Sequence, residues 1–308
     1  MTRSSSESIA TPASAVIVLA PAKINLILRV LDRRPDGFHN LWSLMQTVGL
    51  EDEIVIRFAQ EHAGINLTCD ERSLSADHTN LVYRAAAAVL QCSEQKVGLN
   101  IVLTKRIPMG AGLGGGSSDA AATIIGLNRL LNLDWSAIDM AQVGQLLGSD
   151  VPFFFFAPSA AVTGRGEQVT PVEVSGSRWV VLVNPGFPVE TKWAYQQLSA
   201  TRPGVRDLAD VHVVLGRQRH LTWEQVLGVA ENDFELPVFQ AYPVLQKIKQ
   251  ELLDHGAEVA LLSGSGATVF GVFRNEAEAR QAQSQLQMDP QLKVFSVPAG
   301  SAPRIRTA

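Results

Sequence analysis

A dense run of glycine, serine and aspartate at residues 108–119, PMGAGLGGGSSD, is the stretch whose composition most directly predicts chemistry. Its glycines let the backbone approach a ligand closely and adopt positive φ. The apolar residues of the following segment, including Ile124 and Leu127, recur at helical spacing, so we expect a helix to begin near Ser118. A helix start after such a loop presents free N–H groups and the positive end of the helix dipole. The sequence therefore predicts a site for a di- or triphosphate.

Three other interpretations of this loop are weaker. Gly110, Gly112 and Gly115 satisfy G-x-G-x-x-G, but the acidic residue that a dinucleotide fold requires would be Asp134, which falls between two helical segments. A P-loop would have lysine where Gly116 stands. A flexible Gly/Ser linker is disfavoured because periodic apolar segments flank the loop on both sides.

Five polar or aromatic residues outside the loop also suit a small-molecule site. Strand alternation brings Lys23 and Asn25 to one face, where they form either a functional pair or the exposed polar side of a strand. A Pro-Asp-Gly turn delivers Phe38 and His39, which suit stacking and hydrogen bonding to a flat base, although Phe38 could equally be a core residue. Asp150 precedes an apolar run, either as a helix N-cap or as a carboxylate retained for chemistry.

The overall composition is that of a globular protein and excludes several classes. The chain has 308 residues, a formal net charge of −4 and no run of like charges, which argues against a nucleic-acid partner. No apolar run approaches the ~18 residues that span a bilayer, so we expect no membrane partner. Cys69 and Cys92 have neither metal nor disulfide spacing, which favours the cytoplasm. Residues 1–14 are rich in Ser and Thr, and we expect a disordered tail there.

The periodicity of the chain predicts mixed helices and strands in two halves. The first half has strands at 15–31, interrupted at Pro21, and at 53–58, 65–68 and 99–105, helices at 79–91 and 136–147, and a hairpin at 164–174. The second half has strands at 178–184, 257–262, 268–273 and 292–297 and helices at 191–199, 222–229, 232–240, 243–255 and 275–287. Its sheet-forming parts follow the ferredoxin-like order β-α-β-β-α-β, so a domain boundary is expected near residue 175.

Three motifs in fixed order resemble a known superfamily. PAKINL begins at Pro21, PMGAGLGGGSSDAA at Pro108 and LSGSGATVFG at Leu262, and together they resemble the GHMP kinases, which phosphorylate small-molecule alcohols with ATP. The resemblance implies an α+β fold, with a ribosomal-protein-S5-domain-2-like half at 15–175 and a ferredoxin-like half at 176–308. It also implies ATP and Mg²⁺ as cofactors.

The triple glycine, the PAKINLxLxVxxxRxDGFH pattern and LGSDVPFF resemble one branch of that superfamily in particular. Its members act on a cytidine diphosphate derivative of methylerythritol in non-mevalonate isoprenoid synthesis. The resemblance implies that Asp150 is the general base and that Lys23 is its partner. The family often has tyrosine where this chain has Phe38, so a contact of that hydroxyl is missing here.

The resemblance also assigns residues to binding. The ATP-binding residues would be Pro108, Met109, Gly110, Ala111, Gly112, Leu113, Gly114, Gly115, Gly116, Ser117 and Ser118, with Gly264, Ser265 and Gly266 approaching the phosphates from the second half. The substrate-binding residues would be Asn25, Phe38, His39, Thr191 and Tyr195, with Phe38 and Tyr195 as opposite walls. By the residues alone, the 263–268 turn is equally well a plain hairpin connection. Neither the residues nor the resemblance identifies the metal ligands.

Two alternatives remain open at the level of sequence. A GHMP kinase of the homoserine or mevalonate type would have a charged pocket in place of Phe38 and His39. A non-catalytic nucleotide-binding regulator on the same fold would be expected to have lost Lys23 or Asp150, and both are present. We expect a monomer or homodimer whose partner is a small-molecule substrate.

Overall fold

The computed structural model describes residues 15–60, 64–202 and 208–307. The predicted disordered tail at 1–14 lies outside these residues. The strands are β1 Ala15–Arg33, β2 His39–Phe58, β3 Ile65–Cys69, β4 Leu99–Thr104, β5 Ser159–Gly164, β6 Gln168–Pro171, β7 Glu173–Ser175, β8 Trp179–Asn184, β9 His220–Thr222, β10 Glu231–Asn232, β11 Val259–Leu262, β12 Val269–Phe273, β13 Lys293–Pro298 and β14 Arg304–Thr307. The helices are α1 Leu81–Cys92, α2 Gly115–Leu130, α3 Ala137–Gly144, α4 Thr191–Thr201, α5 Asp210–Arg217, α6 Trp223–Leu227, α7 Glu235–Ala241, α8 Pro243–Asp254 and α9 Glu276–Leu286, with a 3₁₀ turn at Pro152–Phe155.

The first sheet is built on two long antiparallel strands, β1 and β2, and has the order β10-β1-β2-β4-β3, with β5 and β6 continuing from β2. The predicted interruption of β1 at Pro21 was wrong, because the strand continues and only its register shifts between Pro21 and Ala22. The sequence also missed residues 39–52 of β2. The strand is buried without interruption from Trp42 to Val48, so that part shows no alternation of apolar and polar residues.

Helices α1 and α2 pack together and bury the apolar interior of the first half. Helix α1 begins at an N-cap, Asn80, whose side chain accepts a hydrogen bond from the Val82 N–H group. In α2 the run Ser118–Thr123 is entirely buried, with Ile124, Gly126 and Leu127 continuing the contact. An added Cβ at Gly126 would lie 2.8 Å from Ile56 of β2, so this glycine allows the helix to approach the sheet closely.

The second sheet confirms the ferredoxin-like prediction. Strands β8, β11, β12 and β13 are arranged in the order β11-β12-β8-β13, and each hydrogen-bonded pair is antiparallel. Helices α8 and α9 pack against this sheet, as the predicted β-α-β-β-α-β order requires. Helix α5 was not predicted. Among the described residues, no helix is both long and apolar enough to cross a membrane.

Hydrogen bonding crosses the expected domain boundary near residue 175 in two places. Strand β10 pairs in parallel with β1 at Ile27 and Leu28. Strand β14 pairs antiparallel with β1 from Val16 to Leu19. The outer edge of the first strand is therefore covered by segments that lie more than 200 positions later in the chain. The division at 175 remains a prediction about chain order, and the first sheet draws on both halves.

Candidate active site

The glycine loop lies between β4 and α2, where its backbone takes shapes that glycine permits. Gly110, Gly112 and Gly114 have φ values of +60°, +76° and +68°. Gly114 is the N-cap of α2 and supplies no side-chain hydrogen bond, so no capping side chain occupies the N–H groups at the start of the helix. Helix α2 begins at Gly115, three residues before the predicted start at Ser118. Gly115 to Ser118 therefore form the first turn of the helix.

The loop is held on both sides by the other two motifs. On the β1 side, the Lys23 N–H group donates to the Leu113 carbonyl oxygen at 2.9 Å. On the side of the second half, the Ser263 hydroxyl donates to the Gly112 carbonyl oxygen at 2.9 Å. An added Cβ at Gly112 would lie 2.0 Å from the Ser263 carbonyl oxygen, so the close approach requires glycine. The three motifs that were separated in sequence meet at one point.

Lys23 and Asp150 form an ion pair at this point, with Lys23 Nζ 3.5 Å from Asp150 Oδ2. The lysine is buried, whereas the aspartate side chain is 37% exposed. Lys23 Nζ also donates to Asn25 Oδ1 at 2.8 Å, and Asn25 Nδ2 donates to the Ser43 hydroxyl at 2.8 Å. The alternative role of Asp150 as an N-cap is not observed, because the cap of the following 3₁₀ turn is Val151. An anchored cation and an accessible carboxylate are thus available for proton chemistry.

A cavity of about 520 Å³ contains most of the predicted site. It is lined by Lys23, Asn25, the loop from Pro108 to Ser117, Asp150, Thr191, Tyr195 and Gly264–Gly266. It extends further along an apolar wall that includes Leu74, Leu81, Leu103 and Ile107. Sequence reasoning missed this wall. Leu103 and Ile107 flank the loop motif and could have been included, but nothing local marks Leu74 or Leu81.

Ser118, predicted to bind ATP, does not line the cavity. Its side chain is fully buried, and its hydroxyl has no hydrogen-bond partner among the described residues. Its N–H group already donates to the Gly114 carbonyl oxygen at 2.9 Å. The cause is the earlier helix start, which turns residue 118 towards the interior. Ser117, one position earlier, does face the cavity.

The predicted substrate residues separate into two groups. Asn25 contacts Lys23 at the ion pair. Thr191 lies with its hydroxyl 3.0 Å from that of Ser265, next to the second glycine turn. Both therefore belong to the reaction end of the cavity.

The remaining three substrate residues do not form the predicted pair of opposite walls. The rings of His39 and Tyr195 stack directly, with centroids 5.0 Å apart and planes 17° apart. Phe38 is 55% exposed and does not line the cavity. It is carried outward by the turn in which Asp36 accepts a hydrogen bond from the Phe38 N–H group. The Tyr195 ring therefore packs against His39, so Tyr195 and Phe38 do not enclose a space for a base between them.

Burial shifts the pKa values of both rings, His39 and Tyr195. Burial lowers the pKa of His39, with the positive charge of Arg33 adding to the effect, so the neutral ring is favoured. Burial also raises the pKa of Tyr195 to about 12, and the charge of Asp150 adds to the effect. Both groups can therefore act as neutral hydrogen-bonding partners at physiological pH.

A buried triad of Asp52, Lys105 and Asp119 lies behind the glycine loop. Lys105 Nζ donates to Asp119 Oδ2 at 2.7 Å and also to Asp52, and Asp52 Oδ1 accepts the N–H groups of Arg106 and Ile107. Burial and the neighbouring Asp52 raise the pKa of Asp119 to about 8 against the opposing effect of Lys105. Burial tends to lower the pKa of Lys105, but the two carboxylates outweigh it and the pKa is raised. The triad joins β2, the start of the loop and the second turn of α2.

Comparison with known proteins identifies the family. Two family models match, described as the GHMP kinases N terminal domain at residues 80–157 and the GHMP kinases C terminal at residues 214–288. A protein of Citrifermentans bemidjiense named 4-diphosphocytidyl-2-C-methyl-D-erythritol kinase is 42% identical over 87% of this chain and 93% of its own length. A protein of the same name from Syntrophotalea carbinolica is 43% identical over 91% of this chain and 97% of its own.

Solved structures agree with this result. A crystal structure of 4-(cytidine 5'-diphospho)-2C-methyl-D-erythritol kinase aligns with a TM-score of 0.76 at 31% identity, covering 93% of this chain and 100% of that one. A homoserine kinase from Cytophaga hutchinsonii aligns with a TM-score of 0.75 at 19% identity, covering 97% of this chain and 100% of that one, and shows the fold alone. By sequence and by fold, the chain belongs to the GHMP kinase family.

Proposed function

We propose that this protein is a kinase that uses ATP to phosphorylate the 2-hydroxyl of 4-diphosphocytidyl-2-C-methyl-D-erythritol in non-mevalonate isoprenoid biosynthesis. The observation that carries the proposal is the Lys23–Asp150 ion pair, 3.5 Å apart, at the wall of a cavity formed by the glycine loop. The names of the relatives that cover most of the chain support this choice of substrate.

ATP binds with its phosphates against the loop from Pro108 to Ser117. The free N–H groups at the start of α2 and the helix dipole stabilise the phosphate charge. Gly264 to Gly266 approach from the opposite side. The apolar wall that includes Leu74 and Leu81 suits the flat adenine ring, because nucleotide pockets are mostly apolar with few polar groups.

Asp150 accepts the proton of the attacking hydroxyl. In phosphoryl transfer the protein contributes mainly positioning and charge stabilisation, so a carboxylate within hydrogen-bond reach of the alcohol is sufficient. Lys23, whose ammonium lies 3.5 Å from Asp150 Oδ2, holds the carboxylate in place and orients the nucleophilic oxygen. The bond of Lys23 to Asn25 holds the ammonium in position while the alcohol binds.

Mg²⁺ fits this site as an ion carried mainly by the ATP phosphates. The described residues contain no cluster of three or more metal-ligating side chains, but Mg²⁺ commonly takes only one or two carboxylates in such sites. Asp119 lines the cavity, and its Oδ1 atom has no hydrogen-bond partner in the described part of the chain. Asp119 would hold the ion from the protein side, and the bound ion would neutralise charge on the transferred phosphoryl group.

The cytidine end of the substrate is proposed at the His39–Tyr195 ring pair. A cytosine ring stacks on Tyr195 after His39 has turned aside, and His39 then hydrogen-bonds the edge of the base. Phe38 covers the other face of the base. The exposed position of Phe38 leaves room for this rearrangement. The missing hydroxyl of the usual tyrosine does not affect stacking.

The proposal includes the organisation of the protein. We infer a nucleotide-binding half at residues 15–175 and a ferredoxin-like half at 176–308, acting in the cytoplasm as a monomer or homodimer. The partner is a small molecule, and neither a nucleic acid nor a membrane is required.

The test is an ATP-consumption assay with purified protein and Mg²⁺. It compares the cytidine compound with homoserine and mevalonate, and the protein with its Asp150→Asn variant. We expect turnover of the cytidine compound alone, with a loss of about 10²–10⁴-fold in kcat in the variant. Asp139→Asn, a change at an exposed carboxylate in the first turn of α3, is the matched control and should retain activity. Turnover of another alcohol would overturn the assigned substrate, and full activity of Asp150→Asn would overturn the assigned base.

A further inference from the structure

The turn between β5 and β6 lies between the two ends of the proposed substrate site. Gly166 in this turn is close to Asp150, since an added Cβ there would lie 3.6 Å from Asp150 Oδ1. The preceding residue, Arg165, lies over Phe38, with its guanidinium carbon 5.1 Å from the centre of the ring. One short turn thus reaches from the candidate base to the candidate cytidine wall.

The guanidinium of Arg165 is not committed to a strong partner. Its nearest carboxylate oxygen is Glu167 Oε2, at 4.0 Å, and the side chain is 41% exposed. Within the described ranges it donates no side-chain hydrogen bond, and the carboxylate of Glu167 instead accepts the Arg165 backbone N–H group at 2.7 Å. The neighbouring cation Arg34 differs, because it pairs with Asp36 at 3.2 Å and also donates to Asn40. Arg165 is therefore a cation next to Phe38 whose side-chain donors are free within the described ranges.

We propose that Arg165 binds the diphosphate of the substrate and is a specificity-determining residue; this inference rests on the proposed function. The substrate carries its diphosphate between the cytidine and the methylerythritol, so the two negative charges must cross the space between Phe38 and Asp150. A guanidinium presents a planar fork of donors that matches phosphate oxygens in pairs, which a lysine ammonium does not. Arg165 lies over Phe38, next in the chain to Gly166 beside Asp150, with its side-chain donors unused among the described residues.

The contact of Arg165 with the Phe38 ring is compatible with binding the diphosphate. A cation over an aromatic face is attracted by the ring but keeps its edge donors available. The ring therefore orients the guanidinium without occupying its hydrogen-bond donors. If Arg165 only packed on Phe38, a methionine of similar length could replace it. Any change in affinity would then be the same for ligands with and without phosphates.

The first measurement is direct binding of cytidine and cytidine diphosphate, by calorimetry, to the protein and to Arg165→Met. We expect the variant to bind cytidine diphosphate about tenfold more weakly, the low end for loss of charged hydrogen bonds at a partly exposed site, and cytidine within about twofold. Arg165→Lys should recover only part of the affinity. Arg280→Met, at an exposed arginine on α9, is the matched control and should change neither ligand. Equal weakening for both ligands, no weakening, or no binding of cytidine diphosphate to the unchanged protein would overturn the proposal.

The second measurement is steady-state kinetics with 4-diphosphocytidyl-2-C-methyl-D-erythritol. We expect Arg165→Met to raise KM for this compound about tenfold, in line with the lost charged contacts, and to leave KM for ATP and kcat within about twofold. The KM of the variant should also depend less on salt, since the screened interaction has been removed. A parallel rise in both KM values would overturn the assignment to the diphosphate. Failure of the unchanged protein to turn over the compound would instead refute the proposed function, and the binding comparison would still test Arg165.

Discussion

Replacing Asp119 with asparagine should flatten the pH dependence of stability in this protein. The residue is almost completely buried, with Oδ2 bonded to Lys105 and Oδ1 without a partner in the described ranges. Burial, together with Asp52, raises the pKa of Asp119 from 3.8 to about 8. Near neutral pH and without Mg²⁺, whose binding would require the carboxylate to release its proton, the side chain is therefore a protonated acid, and asparagine has nearly the same shape and charge. The substitution removes a titration while preserving the oxygen that accepts from Lys105.

The size and sign of the effect follow from proton linkage. The folded protein retains a proton on Asp119 that the unfolded chain releases above its ordinary pKa. The stabilisation is fully present below about pH 3.8 and is lost as the pH rises towards 8. One proton corresponds to about 1.4 kcal/mol per pH unit. The unfolding free energy of the protein relative to that of Asp119→Asn should therefore fall by about 2–3 kcal/mol between pH 6 and pH 8 and then level off.

The assay is urea unfolding of both proteins, followed by circular dichroism at half-unit pH intervals over that range. Asp139→Asn is the control, because Asp139 is exposed and its hydrogen bonds with Ser136 lower its pKa. The unfolding free energy of the protein relative to that of Asp139→Asn should not fall between pH 6 and pH 8. A constant difference for Asp119→Asn over this range would show that the carboxylate is already ionised in the folded protein, with a pKa that is ordinary or depressed by Lys105, and would refute this reasoning.

Three further predictions concern other parts of the structure. Gly112→Ala should lower the free energy of unfolding by more than the ~1–2 kcal/mol that a left-handed backbone costs, because the added Cβ would lie 2.0 Å from the 263–268 turn. Gly256→Ala is the control, since an added Cβ there meets nothing within 4 Å. Equal losses for the two variants in urea unfolding would contradict the close approach at Gly112. Asp233→Asn should lower stability by about 3 kcal/mol, the low end for breaking a buried pair, because Arg202 loses this carboxylate while Arg29 keeps its pair with Glu231. A loss below ~1 kcal/mol in urea unfolding would show that the pairs contribute little. Tyr195→Phe should abolish a phenolate signal that appears near pH 12 in ultraviolet titration, and a signal that persists there would assign it to another tyrosine.

The glycine loop was predictable because its function depends on the absence of side chains. Positive φ at three glycines and a helix start are local properties, so the sequence alone predicts them. The exact start of α2 was not predictable in the same way. Glycine is a poor helix former, yet Gly115 and Gly116 are helical here because the first turn packs against Ile107 and Leu81. Tertiary contact therefore overrides local propensity and moves Ser118 into the interior.

The buried triad had no signal in the sequence. Asp52 lies in β2, Lys105 directly after β4 and Asp119 in α2, and each alone resembles a solvent-exposed charge. Their proximity depends on the pairing of β2 with β4 and on the position of α2. The contact between His39 and Tyr195 is of the same kind, since it joins the start of β2 to α4. Sequence motifs identify the residues that bind ligands, whereas the residues that hold those binding residues in place can be identified only from the tertiary structure.

The pairing of β14 with β1 has a consequence for synthesis on the ribosome. The edge of β1 from Val16 to Leu19 emerges early, but Arg304 to Thr307, which cover it, are translated almost 300 residues later. At a typical rate of about 5–20 residues per second, that edge is exposed for roughly 15 to 60 seconds. An unpaired strand edge can recruit the strands of other chains. The nascent protein should therefore be most vulnerable to aggregation before its last strand is made, and chaperone binding should decline once residues 304–307 have emerged.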